Sequence, residues 1–169
     1  MAMLEKPFWG ADPSPILDAL RRVCQPENIV SVWFQASAPN IPTGEGGYWQ
    51  RLKYILATEP VYEALGISYL SVDPPAWFHH AQGLETIGTL ANLLMCPGAH
   101  GPFVDDYDTA LRLAREFFDR AMGPYSRAAE AYSCQGAWCD WFLGEGILDE
   151  TVLLGLGGYW WLLAVTDTD

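Results

Sequence analysis

The last fifth of the chain, residues 136–169, constrains the fold more than any other stretch. Two apolar runs, Ile147–Leu154 and Tyr159–Thr166, are separated by Gly155, Leu156, Gly157 and Gly158. A glycine-rich break between apolar runs is the composition of a hairpin turn, so the stretch reads as two antiparallel strands. The second run, Tyr-Trp-Trp-Leu-Leu-Ala-Val-Thr, lacks the polar alternation of a strand with one solvated face. It is expected in the centre of a sheet, covered on both sides. The remainder of the chain must supply the covers.

Upstream, Ser14 reads as an N-cap with Pro15 at the first helical position, and Ile16, Leu17, Leu20 and Val23 form an apolar stripe that ends before Pro26. Ile29–Ala36 is β-branched and aromatic and reads as a strand. A Gly/Pro loop leads to a helix over Tyr48–Ala57, and Pro60 begins a turn through Leu65 that stops at Gly66. Ile67–Val72 reads as a second short strand, and residues 76–83 as a loop or one helical turn. Leu84–Met95 has the spacing of a buried helix. Asp105–Met122 carries Ala110, Leu113, Ala114, Phe117, Phe118 and Ala121 on one face and charges on the other, the pattern of an amphipathic helix. A further short helix is expected over Tyr125–Tyr132, ahead of an aromatic stretch from Cys134 to Leu143. Strands early and late with helices between them point to a single α+β domain over residues 1–169. Its sheet is expected to be mainly antiparallel, with a C-terminal hairpin covered by several helices.

At 169 residues the chain can bury roughly two-thirds of its unfolded surface without disulfides or metal. A formal charge of -12 opposes direct binding to nucleic acid or anionic lipid. It favours solubility, and it suits a basic protein partner. No stretch approaches the ~18 apolar residues of a membrane span. The opening MAMLEKPFWG has no apolar signal region, so a cytoplasmic protein with free thiols is expected.

No cofactor motif is present: Gly44-Glu45-Gly46-Gly47 and the later glycine group match neither a P-loop nor a dinucleotide fingerprint. Cys96, His100, Cys134 and Cys139 can be written as four zinc ligands, but they lack paired short spacings, and buried free thiols are the expectation. His79 and His80 are adjacent and would face opposite ways on a strand. Either of them, or His100, beside a Cys or Asp, would serve a small hydrolase as base. Asp105, Asp106 and Asp108 open the long helix, where capping and the helix dipole account for them. Asp140, Glu145, Asp149, Glu150, Asp167 and Asp169 flank the two ends of the hairpin and are expected to crowd on one rim of the sheet. Eight Trp exceed the usual needs of a core this size, so some are expected in an exposed contact patch.

The stretch AWCDWFLGEGILDETVLLG followed by YWWLLAVTDTD resembles the ending of small bacterial immunity proteins encoded beside polymorphic toxins. The resemblance covers residues 136–169. It implies a cytoplasmic, acidic, non-enzymatic protein that neutralises one cognate toxin, often a type VI secretion effector, a nuclease among the options. On that implication the partner surface is assigned to Asp105, Asp106, Asp108, Asp140, Glu145, Asp149 and Glu150. A hydrolase, or an adaptor subunit with a non-toxin partner, is the alternative. Oligomeric state, a homodimer included, stays open.

Overall fold

In the computed structural model, which describes residues 11–37, 47–68, 72–73, 78–98, 101–142 and 148–167, the elements follow in this order. The first half holds α1 (Ser14–Arg21), β1 (Ile29–Gln35), α2 (Gly47–Leu56), α3 (Glu59–Leu65), β2 (Phe78–Gln82) and α4 (Glu85–Leu94). A small ribbon of β3 (Pro97–Gly98) and β4 (Gly101–Pro102) leads into α5 (Tyr107–Met122). The chain then runs through β5 (Glu130–Gln135), β6 (Leu148–Leu156) and β7 (Tyr159–Asp167).

The apolar run at the C-terminus is central, as its composition requires. The main sheet has five strands in the order β1-β7-β6-β5-β2, and every neighbouring pair is antiparallel. The hairpin turn is tighter than the glycine-rich break suggests: Leu156 pairs with Tyr159, leaving only Gly157 and Gly158 as the loop. Both have left-handed φ, 58° and 87°, the geometry of a two-residue turn whose twist matches the flanking strands. Gly155 and Leu156 therefore extend β6.

Side-chain alternation along β7 divides the interior in two. Trp161, Leu163 and Val165 point into a core shared with α1, α4 and α5. Trp160, Leu162 and Ala164 point into a second core shared with α2 and α3. The result is an α+β architecture with helices on both faces of one antiparallel sheet. Each fully buried large apolar side chain contributes on the order of 1.5–3 kcal/mol, so β7 adds to the driving force on both of its faces. The indoles bring polar N–H groups with them: Trp161 donates to Ser31 Oγ at 2.8 Å, Trp138 to Thr151 Oγ1 at 2.8 Å and Trp160 to the Ala36 carbonyl at 3.2 Å.

Three local expectations are corrected, and a fourth falls largely outside the described residues. Residues 78–82 form β2, a strand, because pairing with β5 from Phe78↔Cys134 to Gln82↔Glu130 supplies hydrogen bonds that no local pattern announces. For the same reason residues 130–132 belong to β5, and the turn before it, Gly123–Ala128, is 3-10 rather than an α-helix reaching Tyr132. The strand expected at Ile67–Val72 has its centre, residues 69–71, outside the described residues, and Ile67, Ser68 and Val72 are not in strand. Ser14 is the first helical residue and not the cap; its N–H and hydroxyl both donate to Asp12 Oδ1, at 3.0 and 2.5 Å.

Candidate functional site

The carboxylates singled out in the sequence fall into two groups with different surroundings. Asp105, Asp106 and Asp108 are exposed at the start of α5. Asp106 is its N-cap, accepting from Thr109 N at 2.8 Å and Thr109 Oγ1 at 2.7 Å, and these bonds hold its carboxyl below the ordinary range. Tyr107, between Asp106 and Asp108, is 47% exposed. Asp140 is exposed after β5. Asp149, Glu150 and Asp167 gather at the open end of the hairpin, where Leu148 pairs with Asp167. They do not occupy both ends, and they do not form a solvated rim. Asp149 Oδ1 accepts from Thr166 Oγ1 at 2.6 Å, and Asp167 is buried beside Cys24. Glu145 and Asp169 lie outside the described residues.

No exposed tryptophan occurs among the described residues; Trp9 and Trp77 lie outside them. Among the described tryptophans, Trp138, Trp160 and Trp161 are buried and Trp33, Trp49 and Trp141 are partly covered. Among the described residues the exposed aromatics are Tyr54, Tyr107 and Tyr125.

On β2 the adjacent histidines face opposite sides of the sheet. His80 sits on the α2 side, its ring stacked on Tyr48 at 4.1 Å and tilted against Tyr132 at 4.8 Å. Its Nε2 lies 3.2 Å from Glu130 Oε2, while Arg51 Nη2 on α2 donates to Glu130 Oε1. Burial pushes the Glu130 carboxyl up, but the hydrogen bonds and charges of His80 and Arg51 outweigh it and leave the group below its ordinary value. Burial and the neighbouring Glu130 charge push the Tyr132 phenol well above its ordinary range. The cluster joins α2 to the β2–β5 edge of the sheet, with His80 Nε2 and Glu130 Oε2 at hydrogen-bond distance within it.

His79 faces the opposite side, where it helps line a cleft of about 240 Å³ between α4 and the sheet. Glu150 on β6 reaches this cleft, with Gln135 and Ser133 from β5, Asn92 from α4 and Cys96 just beyond it. Burial pushes the Glu150 carboxyl up to about 7, against hydrogen bonds from Cys96 and Gln135 that favour its charged form. No cation faces it among the described residues. A second, wider cleft of about 350 Å³ shares His79, Ser133 and Gln135 and adds Phe78.

The four-ligand zinc set is divided by the sheet. Cys134 and Cys139 belong to the α2–α3 side, whereas Cys96 packs on the α4–α5 side; His100 lies outside the described residues. No group of three or more His, Cys, Asp or Glu suited to a metal ion occurs among the described residues. Burial pushes the thiols of Cys24, Cys96 and Cys134 up to about 12 and raises that of Cys139. Each is thereby held as the poorly nucleophilic neutral thiol.

Arg51, Glu130, Gln135 and Asn92 were not singled out by the sequence, since their only signal is the register of β2, β5 and β6. No family model, curated protein or solved structure matches the chain. No helix of the described residues is long and apolar enough to cross a membrane.

Proposed function

We propose that this protein is a cytoplasmic immunity protein that binds a cognate antibacterial toxin and neutralises it by stoichiometric occupation. The observation that carries this reading is the half-exposed Tyr107, set among exposed Asp105, Asp106 and Asp108, none of them in an ion pair among the described residues. An exposed tyrosine offers a stiff amphipathic anchor, and carboxylates outside ion pairs steer a basic partner toward it. The phosphate-binding site of a nuclease is such a partner, since an acidic surface mimics its ligand. Asp140, exposed after β5, is a separate candidate contact. Asp149 is engaged by Thr166, and Glu150 meets a partner only through the cleft.

The test is capture of the partner from native cells, with its affinity measured at two salt concentrations. A single stoichiometric partner that kills cells lacking this protein is expected, with association slowing as salt rises. Reversing Asp105, Asp108 and Asp140 to Lys, with the capping Asp106 kept, should slow association about tenfold or more. Unchanged association removes the acidic surface from the reading; capture of no toxic partner removes the reading itself.

A hydrolase is the second reading, on the observation that His80 stands 3.2 Å from Glu130. It requires a turnover on ester or amide substrates that the His80→Gln variant abolishes. No such turnover would leave the pair as an internal fastening.

A further inference from the structure

The cleft between α4 and strands β5 and β6 combines features that select one class of ligand. Its polar groups come from four elements: Glu150 on β6, Gln135 and Ser133 on β5, His79 on β2, and Asn92 and Thr89 on α4. Leu93 and Val152 give it an apolar wall. Its volume of about 240 Å³ falls below the ~300–1,000 Å³ of pockets that enclose drug-sized molecules, so it suits a group the size of one side chain. No Lys or Arg lines it, and the carboxylate of Glu150 meets only the neutral Cys96 and Gln135 as hydrogen-bond partners. A partly buried carboxylate with neutral partners is stabilised most by a cation brought to it from outside.

We propose that this cleft binds an organic cation, a guanidinium or ammonium group on a short aliphatic stem, with Glu150 accepting from the charged head and Leu93 and Val152 flanking the stem. The amide oxygens of Gln135 and Asn92 and the hydroxyl of Ser133 take the remaining N–H groups. An arginine or lysine side chain of a protein and a free alkylguanidine or alkylamine present the same chemistry. The proposal goes beyond the immunity reading and stands whether or not the partner is a toxin.

Binding also couples to protons. Only the ionised form of Glu150 pairs with the cation, and its proton leaves at about pH 7 in the free protein. A site that binds only in this form has an affinity about tenfold higher at pH 8 than at pH 6. The groups that face or flank Glu150 are Cys96 beyond α4, His79 on β2, the neighbouring Asp149 on β6, and Asp167 on β7, opposite Leu148. Cys96 is held neutral through this range, its thiol pushed up to about 12.

The experiment is a titration of the isotopically labelled full chain with ethylguanidinium chloride, and separately with N-acetyl-arginine amide. Both run at constant ionic strength against sodium chloride, following the side-chain resonances of Gln135, Asn92 and His79. Saturable shifts with either probe are expected, about tenfold tighter at pH 8 than at pH 6. Glu150→Gln should weaken binding tenfold or more, and the binding that remains should lose its pH dependence. Saturation by ethylguanidinium marks a free organic cation as sufficient; saturation only by the arginine derivative assigns the occupant to a protein side chain. Shifts no different from sodium chloride with both probes overturn the proposal. Affinity independent of pH, or unchanged in Glu150→Gln, overturns it as well. These outcomes are independent of whether a toxin is captured.

Discussion

Replacing Gly155 by alanine separates a tertiary constraint from a local one. Gly155 lies inside β6 with φ outside the left-handed region, so an alanine backbone is allowed there, and in a strand Ala is ordinarily no worse than Gly. The obstacle is Trp160, opposite it on β7. A Cβ built on Gly155 meets the indole at 2.1, 2.2 and 2.6 Å, distances no real Cβ tolerates, so the ring must move. Trp160 is 1% exposed, donates to the Ala36 carbonyl at 3.2 Å, and lies under Arg51 at 5.8 Å. Displacing it adds about 1–3 kcal/mol of overpacking to about 0.5–1.5 kcal/mol for the hydrogen bond. A loss of about 2–4 kcal/mol is expected, a fall in Tm of the order of 5–15 °C for a domain of this size. Urea unfolding and calorimetry on Gly155→Ala measure it. In the double variant with Trp160→Leu the alanine should cost at least 1 kcal/mol less than it does alone, because the ring it strikes is gone. A Gly155→Ala protein within about 0.5 kcal/mol of the parent would refute the reasoning, since the close approach of Trp160 to the backbone would then carry no energy.

Three further outcomes follow from the partly buried carboxylates. Arg51→Ala leaves Glu130 without its guanidinium and should cost about 2–3 kcal/mol at pH 7, less than a fully buried pair because both side chains keep some solvent contact. Since the folded-state value of Glu130 is depressed, its contribution is present above the ordinary glutamate value of 4.5 and disappears as pH falls through the lower folded value. The difference between parent and Glu130→Gln should therefore shrink at acid pH, and a constant difference would sink the assignment. Glu150 has the opposite sign: the folded chain keeps a proton up to about pH 7 that the unfolded chain releases near 4.5, so stability from this group falls as pH rises between those values. Glu150→Gln should be more stable than the parent by about 1–2 kcal/mol at pH 8, after allowance for solvent screening, and equal to it near pH 4. Denaturant midpoints at the two pH values decide this, and a variant less stable at pH 8 would overturn it.

The amino-acid sequence by itself determined the elements whose reasons are local. The glycine break and the unpatterned apolar run of 159–166 specify a hairpin buried on both faces, because a strand with no polar side must be covered twice. The apolar stripe of 107–122 and its capping aspartate specify α5, because a 3.6-residue period leaves one dry face and a helix start needs acceptors for its free amides. Tertiary structure alone decided the rest. Phe78–Gln82 has no decisive local preference and becomes a strand only because β5 offers it an unpaired edge. The sheet parts His79 from His80 by two-residue alternation, and Cys96 from Cys134 by the face each element packs on, so residues close in the chain, or joined on paper as metal ligands, come to lie on opposite sides. Strand register brings Gln135 opposite Glu150, and α4 covers the same spot with Asn92 and Cys96. Burial there turns a carboxylate that reads as surface charge into a protonatable group at the wall of a cleft. The physical reason is that burial and pairing depend on contacts distant in sequence, and a titratable group takes its properties from those contacts.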